Sequence, residues 1–170
     1  GSRNEQLGKT GLSHLLEHMQ FKGTKTLKKG EIDKLIQRNG GIMNAATWKD
    51  FTYYWETLSS DKLELAMRIE ADRMANSLID PKEFASEKTV VKSELEGKDN
   101  VPDYLVYYEL YANAFKAHPY QWPTIGWVHD LSTITRDELY RYYRTYYVPN
   151  NATVVIVGDF ETEKALAMAR

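Results

Sequence analysis

Gly11-Leu12-Ser13-His14-Leu15-Leu16-Glu17-His18-Met19-Gln20 is the stretch on which the fold and the chemistry of this chain turn. Leu12, Leu15, Leu16 and Met19 recur at spacings of three and four, the period of an amphipathic helix with one buried face. The pattern predicts a helix from about Thr10 to Phe21, stopped at Gly23. On such a helix His14 and His18 are separated by about 40° of rotation, and Glu17 flanks the same face. Two imidazoles at i and i+4 can share one tetrahedral Zn²⁺, with a carboxylate beside them to manage a proton. The plain alternative is three polar residues on the wet side of a surface helix.

Composition narrows the choice. The chain has 170 residues, 42% hydrophobic and 27% charged, which places it among globular sequences with a real core rather than disordered ones. A net charge of −2 argues against a nucleic-acid phosphate-backbone binder. No run of about 18 apolar residues marks a membrane span. Cysteine is absent, so disulfides and cysteine-zinc sites are excluded and any metal must use histidine and carboxylate. No signal peptide is visible, and the compartment stays open between cytoplasm and a periplasmic or secreted location.

Working outward, a second helix is expected over Gly30 to Arg38, closed by Asn39-Gly40-Gly41. Ile42 to Thr47 and Phe51 to Leu58 read as two strands joined at Trp48-Lys49-Asp50. Ser59-Ser60-Asp61 is a candidate cap for a third helix, Lys62 to about Ser77. Asp80-Pro81 opens a fourth, to about Gly97. Pro102 opens an aromatic helix, Asp103 to about Phe115, whose tyrosines at 104, 107, 108 and 111 suit a buried or half-buried packing face better than base stacking. Thr135 caps a helix to about Tyr147, Thr153 to Val157 reads as a short apolar strand, and a last helix starts near Glu161. The expected fold class is α+β, a mostly antiparallel sheet packed against helices. Residues 1–170 are expected to form a single domain, cut short at both ends.

Two histidines do not complete a catalytic metal site; a third ligand and an open position are needed. His118, His129 and a carboxylate are the candidates. Glu87 and Glu94 lie seven apart on one face of the fourth helix, so one can ligate while the other supports a ligand histidine. Taken alone they are better read, with Glu96, as ordinary surface carboxylates of a charged helix.

These segments together resemble the N-terminal catalytic domain of the pitrilysin/insulysin/mitochondrial-processing-peptidase family of zinc metallopeptidases. The order His-x-x-Glu-His is the inverzincin signature of that family, and residues 8 to 24 are similar to its metal helix throughout. The family's third ligand is a glutamate about 76 residues beyond the second histidine; here 94 − 18 = 76 and position 94 is Glu. The resemblance implies that His14, His18 and Glu94 hold one Zn²⁺, that Glu17 is the general base, and that Glu87 orients a ligand histidine. Gly40 to Thr47 resembles the edge strand along which the family lays an extended peptide, which implies substrate contacts at Asn44, Ala45 and Ala46. His118-Pro119-Tyr120, Gly126-Trp127 and Tyr147 to Thr153 resemble scaffold landmarks. The implied activity is zinc-dependent endopeptidase, completed by a homologous C-terminal half or a partner subunit. A non-catalytic scaffold subunit of the same fold, a metal-free interaction module and a zinc hydrolase acting on other substrates are the rival readings.

Overall fold

The structure is a computed structural model describing residues 1–170. Its centre is helix α1, Leu12–Met19. Leu15 and Leu16 are fully buried, and Leu12 and Met19 nearly so. They share one core with Val91 and Leu95 of α4 (Pro81–Asp99), with Leu131 and Ile134 around α6 (Val128–Thr133), and with Leu139 and Tyr143 of α7 (Arg136–Tyr146). A helix buried over one face in this way is held stiffly, so polar residues on its other face are fixed relative to α4.

Between α1 and α4 the chain forms α2 (Glu31–Arg38), strands β1 (Ile42–Thr47) and β2 (Thr52–Thr57), and α3 (Leu63–Asn76). The strands pair only with each other, antiparallel, in the register Asn44 opposite Trp55 and Thr47 opposite Thr52. Trp48 N–H donates to Phe51 O at 2.8 Å and closes the turn. Alternation along the strands puts Tyr53, Trp55 and Thr57 on the exposed side and Thr52, Tyr54 and Glu56 on the inner side. Ile32, Ile36 and Ile69 form a smaller core beneath Met43, Leu58 and Leu65. Arg73 of α3 is buried, pairs with Glu56 of β2 at 2.8 Å, and lies over the rings of Tyr54 and Phe21. This one side chain therefore joins α3, the hairpin and the segment after α1. The chain ends through α5 (Pro102–Ala114), α6, α7 and α8 (Thr162–Ala169). No helix is long and apolar enough to cross a membrane.

Several expected elements shift. Helix α1 begins two residues later than the apolar pattern suggests, because Gly11 takes a left-handed conformation (φ 94°). A Cβ there would meet Ile125 O at 2.6 Å, so the loop crossing the helix start requires glycine. The helix also ends at Met19, ahead of Gly23. Ser59-Ser60-Asp61 leads into a 3₁₀ turn, Ser60–Lys62, and supplies no side-chain cap to α3. Asp80 does cap α4, accepting from the backbone N–H of Lys82 and Glu83, and Thr135 with Glu138 forms a capping box on α7. Thr153 to Val157 forms no strand: nothing pairs with it, and Val154, Val155 and Val157 are exposed. An apolar run becomes a strand only where a neighbouring strand takes its backbone groups, and neither β1 nor β2 pairs with this one. The aromatic helix α5 buries no residue; Tyr104 and Tyr107 are exposed, and the rings stack along the helix surface with Tyr107 and Tyr111 4.4 Å apart.

Candidate active site

Helix α1 presents His14, Glu17 and His18 on the side away from its core, and α4 presents Glu87 and Glu94 towards them. Buried Val91 lies between the two glutamates in sequence, on the face of α4 that packs on α1. The hydrophobic contact between the helices thus sets the distance between histidines and carboxylates. His14 Nε2 lies 3.7 Å from Glu94 Oε2 and His18 Nε2 lies 3.6 Å from the same oxygen. The ligand atoms of these three residues all fall within 4.8 Å of one another. Separations of this size are long for hydrogen bonds. They are close to the ~3.3 Å edge of a tetrahedron with metal bonds of about 2.0–2.1 Å.

Protonation suits ligation at His14. Burial pushes its imidazole down to about 4, with His18 adding to the effect, so it is neutral and offers a lone pair. Its Nδ1 is buried and has no partner in the chain. His18 differs. Burial again opposes its charge, but the carboxylates of Glu94 and Glu87 outweigh burial and raise its pKa. The neighbouring His18 holds Glu94 down to about 2 against the cost of burial, and Lys98 assists. Lys98 binds Glu94 Oε1 at 2.7 Å, leaving Oε2 directed at the histidines.

Glu87 does not join this cluster. It is buried, its Oε2 sits 3.1 Å from His18 Nδ1, and its Oε1 pairs with Lys22 at 2.7 Å. In the neutral ring, a carboxylate on Nδ1 favours the tautomer that leaves Nε2 unprotonated towards the cluster. Glu17 lies within reach of the charges on His18 and Glu94. Burial raises its pKa, and a 2.5 Å hydrogen bond from Thr47 Oγ1 to its Oε2 draws it back.

The structure therefore brings together four of the residues picked out on sequence grounds, with Glu87 behind them. Asn44 is exposed on β1, and its Oδ1 accepts from the Ala45 N–H at 2.9 Å. The outer edge of β1, along Asn44, Ala45 and Ala46, carries no neighbouring strand. His118 and His129 stand apart from the cluster: His118 caps a 3₁₀ turn by accepting from Tyr120 N–H, and His129 is exposed. Lys98 was readable in the sequence as the i+4 partner of Glu94. Lys22 and Thr47 were not, since each reaches its partner through tertiary folding.

The start of α1 is held by two further carboxylates. Buried Glu5 accepts from Gly11 N–H at 2.8 Å and Ser13 N–H at 2.6 Å, satisfying helix donors that have no side-chain cap of their own. Asp130 Oδ2 accepts from Gly8 N–H, Thr10 N–H and the Thr10 hydroxyl at 3.1, 3.1 and 2.7 Å.

A two-histidine, one-glutamate cluster on two packed helices is a donor set that could hold a metal ion. The chain belongs to the insulinase (peptidase M16) family: that family's profile matches residues 1–126, and the profile of the peptidase M16 inactive domain matches residues 133–170. It is 37% identical over 171 residues to the zinc protease PqqE of Helicobacter pylori (strain ATCC 700392 / 26695), covering all of this chain and 38% of that protein. It is 33% identical to the uncharacterized zinc protease YmxG of Bacillus subtilis (strain 168), covering 94% of this chain and 39% of that one. Among solved structures, a protease from Helicobacter pylori superposes with a TM-score of 0.97 at 38% identity, over 99% of this chain and 41% of that chain. Pitrilysin superposes with a TM-score of 0.76 at 26% identity, over 88% and 16%. The chain thus spans less than half the length of these relatives.

Proposed function

We propose that this chain is the metal-binding part of a zinc endopeptidase, in which His14, His18 and Glu94 hold one zinc ion and Glu17 is the general base. The observation that carries the reading is the convergence of three ligand atoms with a carboxylate, Glu17, on the same turn as the two histidines. The donor set fits zinc, with two imidazole nitrogens and one carboxylate oxygen at near-tetrahedral spacing. When bound, zinc supplies Lewis acidity that brings the pKa of water to roughly 7 and polarises a carbonyl.

The chain's own residues do the rest. Glu17 takes the proton of the attacking water and passes it to the leaving amine. Its carboxylate must stay free of the metal, because donation to the cation would lower its basicity. Glu87 orients His18 through Nδ1, and Lys22 neutralises Glu87 in turn. Lys98 holds one oxygen of Glu94 so that the other faces the histidines. The unpaired edge of β1 takes an extended peptide by backbone hydrogen bonds, with Asn44, Ala45 and Ala46 along it. A homologous second half or partner subunit completes the pocket. This chain alone is therefore expected to bind zinc and to turn over peptides weakly or not at all.

Glu17→Gln in the full-length protein tests the assignment. Zinc content stays at the wild-type level, and hydrolysis of a fluorogenic peptide falls on the order of 10²–10⁴-fold, the usual worth of a positioned base. Loss of zinc would instead make Glu17 a ligand and overturn the role.

A further inference from the structure

We infer that Thr47 is a positioning residue for the base, fixing which oxygen of Glu17 faces the reacting water. The inference rests on the general-base role proposed for Glu17. Thr47 closes β1, and its hydroxyl donates to Glu17 Oε2 at 2.5 Å across 30 residues of sequence. A hydroxyl has one hydrogen to give. With that hydrogen committed to an ionised carboxylate, the 3.1 Å contact between Thr47 Oγ1 and Thr52 Oγ1 must have Thr52 as the donor. The two threonines are register partners across the hairpin, so their order is set by strand pairing. A directed chain results, from Thr52 through Thr47 to Glu17.

The consequence is geometric. A glutamate side chain on a half-open helix face samples several rotamers, and a charge-assisted bond to a rigid strand selects one of them. Thr47 engages Oε2 and leaves Oε1 for proton transfer. Thr47 is also three residues from Asn44 on the strand whose outer edge takes the peptide under the proposed function. One strand therefore carries both the substrate register and the anchor of the base. A misplaced base costs turnover rather than binding, so the effect belongs in kcat.

Thr47→Val in the full-length zinc-loaded protein keeps the branched volume and removes the hydroxyl. Expected is a fall in kcat on the order of 10–100-fold. KM and zinc affinity stay within about twofold of wild type, as for a group acting only in the transition state. Thr47→Ser restores kcat. A peptide hydroxamate, whose hydroxyl donates to the base, gives a readout independent of turnover: calorimetry should show it binding Thr47→Val more weakly and Thr47→Ser normally. Should the valine disturb the hairpin, seen as a changed circular dichroism spectrum, Thr47→Ala against Thr47→Ser asks the same question. Wild-type kcat and hydroxamate affinity in Thr47→Val, with Glu17→Gln inactive, would overturn this inference and leave the proposed function standing. Equal losses in Thr47→Val and Thr47→Ser, or loss of zinc, would also overturn it, by showing a packing role. Full activity in Glu17→Gln would remove the base assignment itself.

Discussion

Asp130 offers the sharpest test of how α1 is held. One oxygen of this buried carboxylate takes three donors just ahead of α1: Gly8 N–H at 3.1 Å, Thr10 N–H at 3.1 Å and Thr10 Oγ1 at 2.7 Å. Thr10 Oγ1 in turn accepts from Trp127 N–H at 3.0 Å, so the carboxylate organises both sides of the loop that crosses the helix start. Asp130→Ala leaves the buried Thr10 N–H without a partner, while the exposed Gly8 N–H turns to water and the hydroxyl can rotate to another acceptor. At about 1–3 kcal/mol for one buried group left unsatisfied, with about 1 kcal/mol more for the other bonds lost, the expected cost is about 2–4 kcal/mol. Against a typical domain stability of about 5–15 kcal/mol, that is a large fraction. Asp130→Asn keeps a carbonyl oxygen in place and loses the charge, so it should cost only about 1–2 kcal/mol. Urea unfolding of the zinc-free protein, followed by tryptophan fluorescence with an unchanged m-value, measures both. Zinc affinity should fall in the same order, because the helix carrying both histidines starts at Leu12. A cost below about 1 kcal/mol for Asp130→Ala, or equal costs for the two variants, would refute the argument that charge-assisted bonds hold this junction.

Two further outcomes follow from the site. Glu94→Gln removes a proposed ligand and should abolish tight zinc binding, whereas Glu87→Gln should weaken it by about 10–100-fold through loss of His18 orientation; equal losses by zinc titration would undo the division of roles. Stability should also respond to Glu5, which burial raises from 4.5 to about 7 in spite of its bonds from Ser13 and Gly11. The folded chain holds this proton more tightly than the unfolded one. Its contribution is therefore full below about pH 4.5 and is lost as pH rises through about 7, an effect on the order of 3 kcal/mol. The unfolding midpoint should fall across that window, and Glu5→Gln should flatten that part of the profile; an unchanged profile in the variant would show that Glu5 does not titrate there.

Local periodicity and spacing determined much of this protein. The apolar stripe of α1, the Asp80-Pro81 start of α4 and the capping box of α7 all depend on residues within a turn or two of each other, so they stand in the sequence with little interference from the rest of the chain. The His14/His18 pair belongs to the same class. The link from α1 to Glu94 was legible only through the family resemblance and its 76-residue spacing, since helical geometry relates Glu87 to Glu94 but says nothing about which faces α1. Tertiary packing decided that: Val91 buried against α1 turns both glutamates towards the histidines, placing Glu94 at their Nε2 atoms and Glu87 at Nδ1 of His18. It also decided what became of Thr153 to Val157, an apolar run with strand composition and no strand to pair with. Only the fold brings Thr47 to Glu17, Lys22 to Glu87, and Glu5 and Asp130 to the start of α1. A short helix needs its end groups and its side chains held from outside, and the partners that hold them lie up to about 120 residues away, beyond the reach of any local pattern.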